Sequence, residues 1–169
     1  MSEAFSFEAL NATHDRAAFC CGVPELDRYF RELATQDIRR RVSNCFVALD
    51  PAGTVAGYYT FAATSLPLTE LAPEQARRLA RYSSFPAGLI GRLAVDRDFR
   101  GRGLGGLLVV DAIVRAMRAE PAIFALIVEA KDEAAVGFYR HLGFHRFASR
   151  RMTLFLPIAE PARRIAAGG

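Results

Sequence analysis

The residues of this chain best suited to hold a reactive ligand lie in Val95-Asp96-Arg97-Asp98-Phe99-Arg100-Gly101-Arg102-Gly103-Leu104-Gly105-Gly106. An apolar run over residues 89–95 precedes them and reads as a buried strand. An apolar run over residues 107–116 follows and reads as a helix. Glycines in such a turn remove the Cβ atoms that would block an anion. The freed N–H groups of the turn and of the first helical turn converge on one point, with the helix dipole behind them. Arg100 and Arg102 add positive charge beside those amides. The predicted ligand carries phosphate.

Two familiar phosphate loops are excluded. A Gly-x-x-x-x-Gly-Lys-Ser/Thr loop needs a lysine at its end, and the only lysine of the chain is Lys131. A dinucleotide fingerprint needs Gly-x-Gly-x-x-Gly near the first strand, whereas Gly101, Gly103 and Gly105 are spaced differently and lie past the middle. Arg100-Gly101-Arg102-Gly103-Leu104-Gly105 instead resembles the Gln/Arg-x-x-Gly-x-Gly/Ala pyrophosphate loop of the GNAT acetyltransferases. A second stretch, Asp132-Glu133-Ala134-Ala135-Val136-Gly137-Phe138-Tyr139-Arg140-His141-Leu142-Gly143-Phe144, resembles the other hallmark of that family, Asn-x-x-Ala-x-x-x-Tyr-x-x-x-Gly-Phe. Asp132 stands where the family has asparagine, and both residues cap helices well.

The resemblance implies an α/β (α+β) GNAT fold: a central, mixed, mostly antiparallel twisted sheet flanked by helices. It implies acetyl-CoA as cofactor, with the backbone at Leu93, Ala94 and Val95 facing thioester and pantetheine. Amides of Arg100, Gly101, Arg102, Gly103, Leu104 and Gly105 would take the pyrophosphate, and Asp132, Ala135 and Phe138 would lie beside the cofactor. Tyr139 falls on the family's acid, which protonates the departing sulfur. A tyrosine, with a free pKa of about 10, can protonate a thiolate whose conjugate acid has a pKa of about 8.5. No residue type in a motif position identifies a general base. His14, His141 and His145 read as surface or hairpin residues, and Glu129 at a strand end is equally well explained by a structural hydrogen bond.

Further stretches narrow the resemblance to the GNAT toxins of bacterial type II toxin–antitoxin pairs, which acetylate the α-amine of aminoacyl-tRNA and block translation. They are Cys21-Gly22 with Leu26-Asp27, Gln36-Asp37-x-Arg39-Arg40, Gly57-Tyr58-Tyr59, Gly91-Arg92-Leu93-Ala94-Val95-Asp96, and Ala130-Lys131 before the second hallmark. An α-amino group has a pKa of about 8 against about 10.4 for a lysine side chain, so it has less need of a base. Candidate tRNA contacts are Arg39, Arg40, Arg41, Arg77, Arg78, Arg81 and Arg92, since backbone phosphates supply affinity without sequence reading. The resemblance implies a ribbon-helix-helix antitoxin and a homodimer as partners. The alternatives are a metabolic or protein N-acetyltransferase acting on a small amine or peptide, and a non-catalytic acetyl-CoA-binding module.

Composition bounds these readings. At 169 residues and 51% hydrophobic, the chain suits one compact domain, placed at residues 1–160, with a loose tail at 161–169. Of 22 Lys+Arg, 21 are arginine, the residue suited to bidentate phosphate contacts, although the net charge is only +4. Three cysteines, two adjacent, form neither a disulfide framework nor a zinc site, and no metal is expected. The longest uncharged stretches hold too much Pro, Gly and Thr to span a bilayer. Residues 1–5 lack the features of a signal peptide, so the expected compartment is the cytoplasm.

The positioning elements follow from periodicity. Strands are expected at residues 5–10, 45–49, 57–64 and 122–128, with a hairpin at 144–147 and 152–156. A helix should open at Pro24 and run to the arginines at 39–41. Residues 65–86 read as irregular, around a short basic segment at 75–82. Asp132 should cap the helix that carries Tyr139.

Overall fold

The computed structural model describes residues 4–168. Seven strands form a mixed sheet: β1 (Ser6–Ala9), β2 (Asn44–Leu49), β3 (Val55–Pro67), β4 (Ser84–Val95), β5 (Ala125–Glu129), β6 (His145–Arg146) and β7 (Thr153–Pro157), in the order β1-β2-β3-β4-β5-β7-β6. The pairs β1–β2, β2–β3, β5–β7 and β6–β7 are antiparallel, and β4–β5 is parallel. The helices are α1 (Pro24–Arg28), α2 (Ala34–Arg39), α3 (Pro73–Arg78), α4 (Leu104–Arg118), α5 (Glu133–His141) and α6 (Ala159–Gly168). This is the expected mixed α/β architecture. No helix of the described residues is long and apolar enough to cross a membrane.

Contacts group the chain into two units that share β3, β4 and α4. The first comprises residues 1–62 and 91–112. Its core stacks Phe30 on Tyr58, with ring centroids 4.4 Å apart and planes 9° from parallel, and Phe19 meets both rings edge-on. Pro24 starts α1, as its fixed φ allows. Between α1 and α2 the winding widens to a π turn over Tyr29–Leu33. That turn keeps Tyr29 and Phe30 upstream, and Ala34 downstream, against one core. The hairpin between β2 and β3 closes on Asp50, whose carboxylate accepts from the Ala52 and Thr54 N–H groups. One irregularity interrupts this pair: Ala48 faces Gly57 but Leu49 faces Val55, so Ala56 is a bulged residue.

The second unit comprises residues 63–90 and 113–169. Leu66, Phe85, Ile127, Phe147 and Phe155 fill its core. Parallel pairing holds β5 to β4 from Ala87–Ala125 to Ile90–Val128, and β5 is buried over its first four residues, as its continuous apolar run predicted. The ladder ends at Ile90, while β4 continues to Val95.

Two local readings are corrected, and the C-terminal residues take a defined local form. Residues 65–86 are less irregular than expected, because β3 persists to Pro67, α3 occupies 73–78 and β4 begins at Ser84; β-strand hydrogen bonding overrides the prolines at strand ends. The tail forms α6, where alanines favour helix and Glu160 reaches Arg163 and Arg164 at 4.0 and 3.7 Å. His14 is not a surface residue. Its side chain is 4% exposed, accepts from the Asn11 N–H through Nδ1 and meets Glu8 through Nε2 at 2.5 Å.

Candidate active site

The glycine-rich loop of the first unit is pinned from three directions. The bulge turns the Ala56 carbonyl onto the Asp96 N–H, 2.8 Å away, where β4 ends. The buried Asp96 carboxylate then accepts from the Asp98 N–H at 2.9 Å, starting a single 3-10 turn over Arg97–Phe99. Its other oxygen accepts from the Cys20 N–H at 3.0 Å, and the Arg97 N–H returns a bond to the Cys20 carbonyl at 2.9 Å. The Arg100 guanidinium donates to the Cys21 carbonyl, and the Cys21 N–H donates to buried Asp27 at 2.7 Å. Every backbone polar group of Cys20–Cys21 is therefore paired, and three of the four partners belong to the loop. Burial is the largest single influence on the Asp27 carboxyl and would raise it, but hydrogen bonds from Cys21 and Cys20 and the Arg31 charge together outweigh it, and the carboxyl lies below its ordinary pKa.

Beyond Arg100 the backbone turns through Gly101 (φ 77°) and Gly103 (φ 73°), a region that L side chains disfavour. A Cβ on either would meet nothing within 4 Å, so the space beside the loop is open. The first hydrogen bond of α4 runs from the Leu107 N–H to the Gly103 carbonyl at 3.2 Å. The N–H groups of Leu104, Gly105 and Gly106 thus have no acceptor within the helix. Open space, positive-φ glycines and unused amides fit a diphosphate. The side chains contribute less than their charge suggests. Arg100 is tied to Cys21, while Arg102 lies 5.0 Å over the Phe99 ring and donates to the Asp98 carbonyl.

Packing fixes where this helix starts. A Cβ on Gly57 would stand 3.0 Å from the Ala94 carbonyl, 3.2 Å from Leu108 and 3.3 Å from Leu104, so only glycine lets β3 come this close. Two residues on, the fully buried Tyr59 donates to the Asp111 carboxylate of α4 at 2.6 Å. Leu93 and Val95 are half-buried and Ala94 is buried, all on the part of β4 beyond the parallel ladder.

Tyr139 belongs to the second unit, on α5. Asp132 caps that helix as expected, accepting from the Ala135 N–H at 2.8 Å. Tyr139 is 8% exposed, between Phe138 and Phe144 at 5.0 and 5.4 Å. Burial pushes its phenol up to about 12, which holds the proton on oxygen throughout the neutral range. Phe138 is exposed, at 37%, and is not the core aromatic of the pair. No cluster of three or more His, Cys, Asp or Glu in the described residues could hold a metal ion.

The arginines divide. Arg39, Arg40 and Arg41 lie at the end of α2, all three exposed, and Arg77, Arg78 and Arg81 lie at and beyond the end of α3. Arg92 is half-buried, with its guanidinium 3.6 Å above the Tyr29 ring, so its side chain already has a structural partner. Sequence reasoning missed Asp96, Asp27 and the Cys20–Gly22 turn as loop supports. An aspartate two residues ahead of an N–H at a strand end is the signal that could have found the first.

Comparison with known proteins agrees with this geometry. Residues 10–144 match the model of the acetyltransferase (GNAT) family. A tRNA-acetylating toxin of Mycobacterium tuberculosis is 39% identical over 132 residues, which cover 77% of this chain and 78% of that protein. The structure of AtaT complexed with acetyl-methionyl-tRNAfMet superposes with a TM-score of 0.86 at 27% identity, covering 96% of this chain and 99% of the other. That of an AtaT mutant toxin bound to the C-terminus of the antitoxin AtaR and acetyl-CoA superposes at 0.79 and 26% identity, covering 98% and 99%.

Proposed function

Because the chain belongs to the acetyltransferase (GNAT) family, we propose that it is a toxin that transfers acetyl from acetyl-CoA to the α-amine of an aminoacyl-tRNA, blocking translation until an antitoxin binds it. The observation that carries this reading is the pinned loop, with its unused amides at Leu104, Gly105 and Gly106 and its positive-φ glycines. The toxin branch is supported by the likeness to a tRNA-acetylating toxin over most of both chains. An antitoxin of ribbon-helix-helix type and a homodimer complete the proposed assembly, and the cytoplasm is the proposed compartment.

In this reading acetyl-CoA supplies its acetyl group as an activated thioester. The loop amides from Arg100 to Gly105 hold the diphosphate, with the α4 dipole favouring its charge. The backbone of Leu93, Ala94 and Val95 orients the pantetheine arm, and Asp132, Ala135 and Phe138 flank the cofactor. Tyr139 holds a proton at its phenolic oxygen, which burial keeps there, and offers it to the departing sulfur. An α-amine with a pKa of about 8 is partly neutral at pH 7, so no strong base is required. The arginines at 39–41 and at 77, 78 and 81 bind tRNA phosphates. Arg92, whose guanidinium stacks on Tyr29, is a further proposed tRNA contact.

Transfer of labelled acetyl to a total aminoacylated tRNA pool, beside uncharged tRNA and free amino acids, tests the proposal. Label confined to charged tRNA and released by mild ester hydrolysis as N-acetyl amino acid is the expected result. Label on free amines or peptides alone would assign the chain to a small-molecule or protein acetyltransferase instead.

A further inference from the structure

The second unit carries a cleft of about 590 Å³ lined by Arg140, Gly143, Phe144, His145, Arg146 and Arg151. Three guanidiniums and an imidazole share it, and no lining residue is acidic. Glu133 is the carboxylate that meets these arginines, 2.9 Å from Arg146 and 3.7 Å from Arg151. One carboxylate facing three arginines leaves the cleft positive. The chain end of α5 does not compete for that charge. Gly143, at φ 102°, turns the backbone so that the N–H groups of Leu142, Gly143 and Phe144 take up the last helical carbonyls.

We propose that this cleft is a phosphate subsite that grips the sugar–phosphate backbone of one nucleotide of the tRNA substrate, an inference that rests on the function proposed above. Arginine forks match phosphate oxygens bidentately, and a cleft of this volume admits a nucleotide rather than a bare ion. His145 is exposed on β6 at the rim, where an unstacked base has a ring to lie against. A peptide occupant is disfavoured because the one large apolar lining residue, Phe144, is 2% exposed and offers no anchor surface. Arg146 is held by Glu133, whereas Arg140 is exposed and Arg151 is held only at 3.7 Å, so the latter two are the arms that meet the ligand.

The test uses the full chain with Arg140→Ala and Arg151→Ala, singly and together. Both positions are exposed, and unchanged thermal unfolding checks the fold. Steady-state transfer is measured with aminoacyl-tRNA and acetyl-CoA varied in turn, and binding of uncharged tRNA is followed by fluorescence anisotropy against salt. The double variant should raise KM for aminoacyl-tRNA by ~10-fold or more and leave that for acetyl-CoA unchanged. Its log–log salt slope for tRNA binding should fall by about 0.7–0.9 for each phosphate no longer neutralised. Unchanged tRNA binding and slope would overturn the proposal. So would a rise in KM for acetyl-CoA alone, which would assign the cleft to a cofactor phosphate, or weakened binding of an acidic antitoxin peptide with tRNA binding intact. If wild-type protein acetylates no tRNA, the proposed function fails, while the anisotropy slopes still decide whether the cleft holds RNA.

Discussion

Arg100 donates to the Cys21 carbonyl across a residue that has to be glycine: a Cβ on Gly22, at φ 90°, would stand 2.7 Å from the Arg100 Nη2. The phosphate loop and the turn leading into α1 are thereby joined at a position where a side chain would strain the backbone and push the Arg100 guanidinium aside. Gly22→Ala should cost ~1–3 kcal/mol for the strained backbone and weaken acetyl-CoA binding as Arg100 is displaced. Urea unfolding and calorimetric titration with acetyl-CoA check the two effects. Wild-type affinity in a destabilised variant would mean that the loop keeps its shape without this contact.

Tyr139→Phe should keep acetyl-CoA affinity and lower turnover by ~10²-fold or more, the scale of a lost acid. Single-turnover acetyl transfer with saturating cofactor is the measurement. Because burial holds the phenol near 12, the wild-type rate should show no alkaline fall attributable to this group below about pH 10. Turnover unaffected by the substitution would leave Tyr139 a packing residue.

Stability should fall as pH rises from about 9 towards 12. Burial raises the Cys45 thiol from 9.0 to about 12 and the Tyr139 phenol from 10.0 to about 12. Both are neutral in the folded and unfolded chains at pH 7, so their folded-state preference costs nothing there. Above the unfolded pKa values the unfolded chain loses protons that the folded chain retains, and unfolding is favoured. Denaturant midpoints at successive pH values should show the decline, with a shallower one in Cys45→Ala.

Replacing Arg77 and Arg78 by Glu should raise KM for aminoacyl-tRNA and leave cofactor affinity intact, since both lie at the end of α3, a helix with no buried residue. Filter binding at two salt concentrations separates a phosphate contact from a general charge effect. Equal tRNA affinity at both salts would make this cluster a solvated face.

The strands and helices that bear the two hallmark stretches were legible because local pattern and tertiary role agree there. The apolar run ahead of the loop is β4, Asp132 caps α5 and the continuous apolar run is the parallel-paired β5. The supports of the loop were not legible, since they join residues far apart in sequence: Asp96 with Cys20, Arg100 with Cys21, Tyr59 with Asp111. Charge counting does not reveal what a guanidinium already touches. Arg92 and Arg100 read as phosphate arms, yet each guanidinium has a partner within the protein, because a planar cation packs on rings and carbonyls as readily as on anions. His14 reads as a surface residue, and only the folded turn reveals its enclosure against Glu8.

The π turn at Tyr29–Leu33 makes the helix ahead of the arginine cluster editable in evolution. Loss of one residue there would restore regular winding and leave the helix on either side facing as it does, because the wide turn already absorbs the extra residue. Arg39, Arg40 and Arg41 would keep their azimuth while Tyr29 and Phe30 stayed seated in the core. A single-codon deletion could therefore be accommodated at this turn without moving the charged helix end or dismantling the packing beneath it. Among related chains, this segment should therefore differ in length by a residue while the basic end of the helix keeps its place.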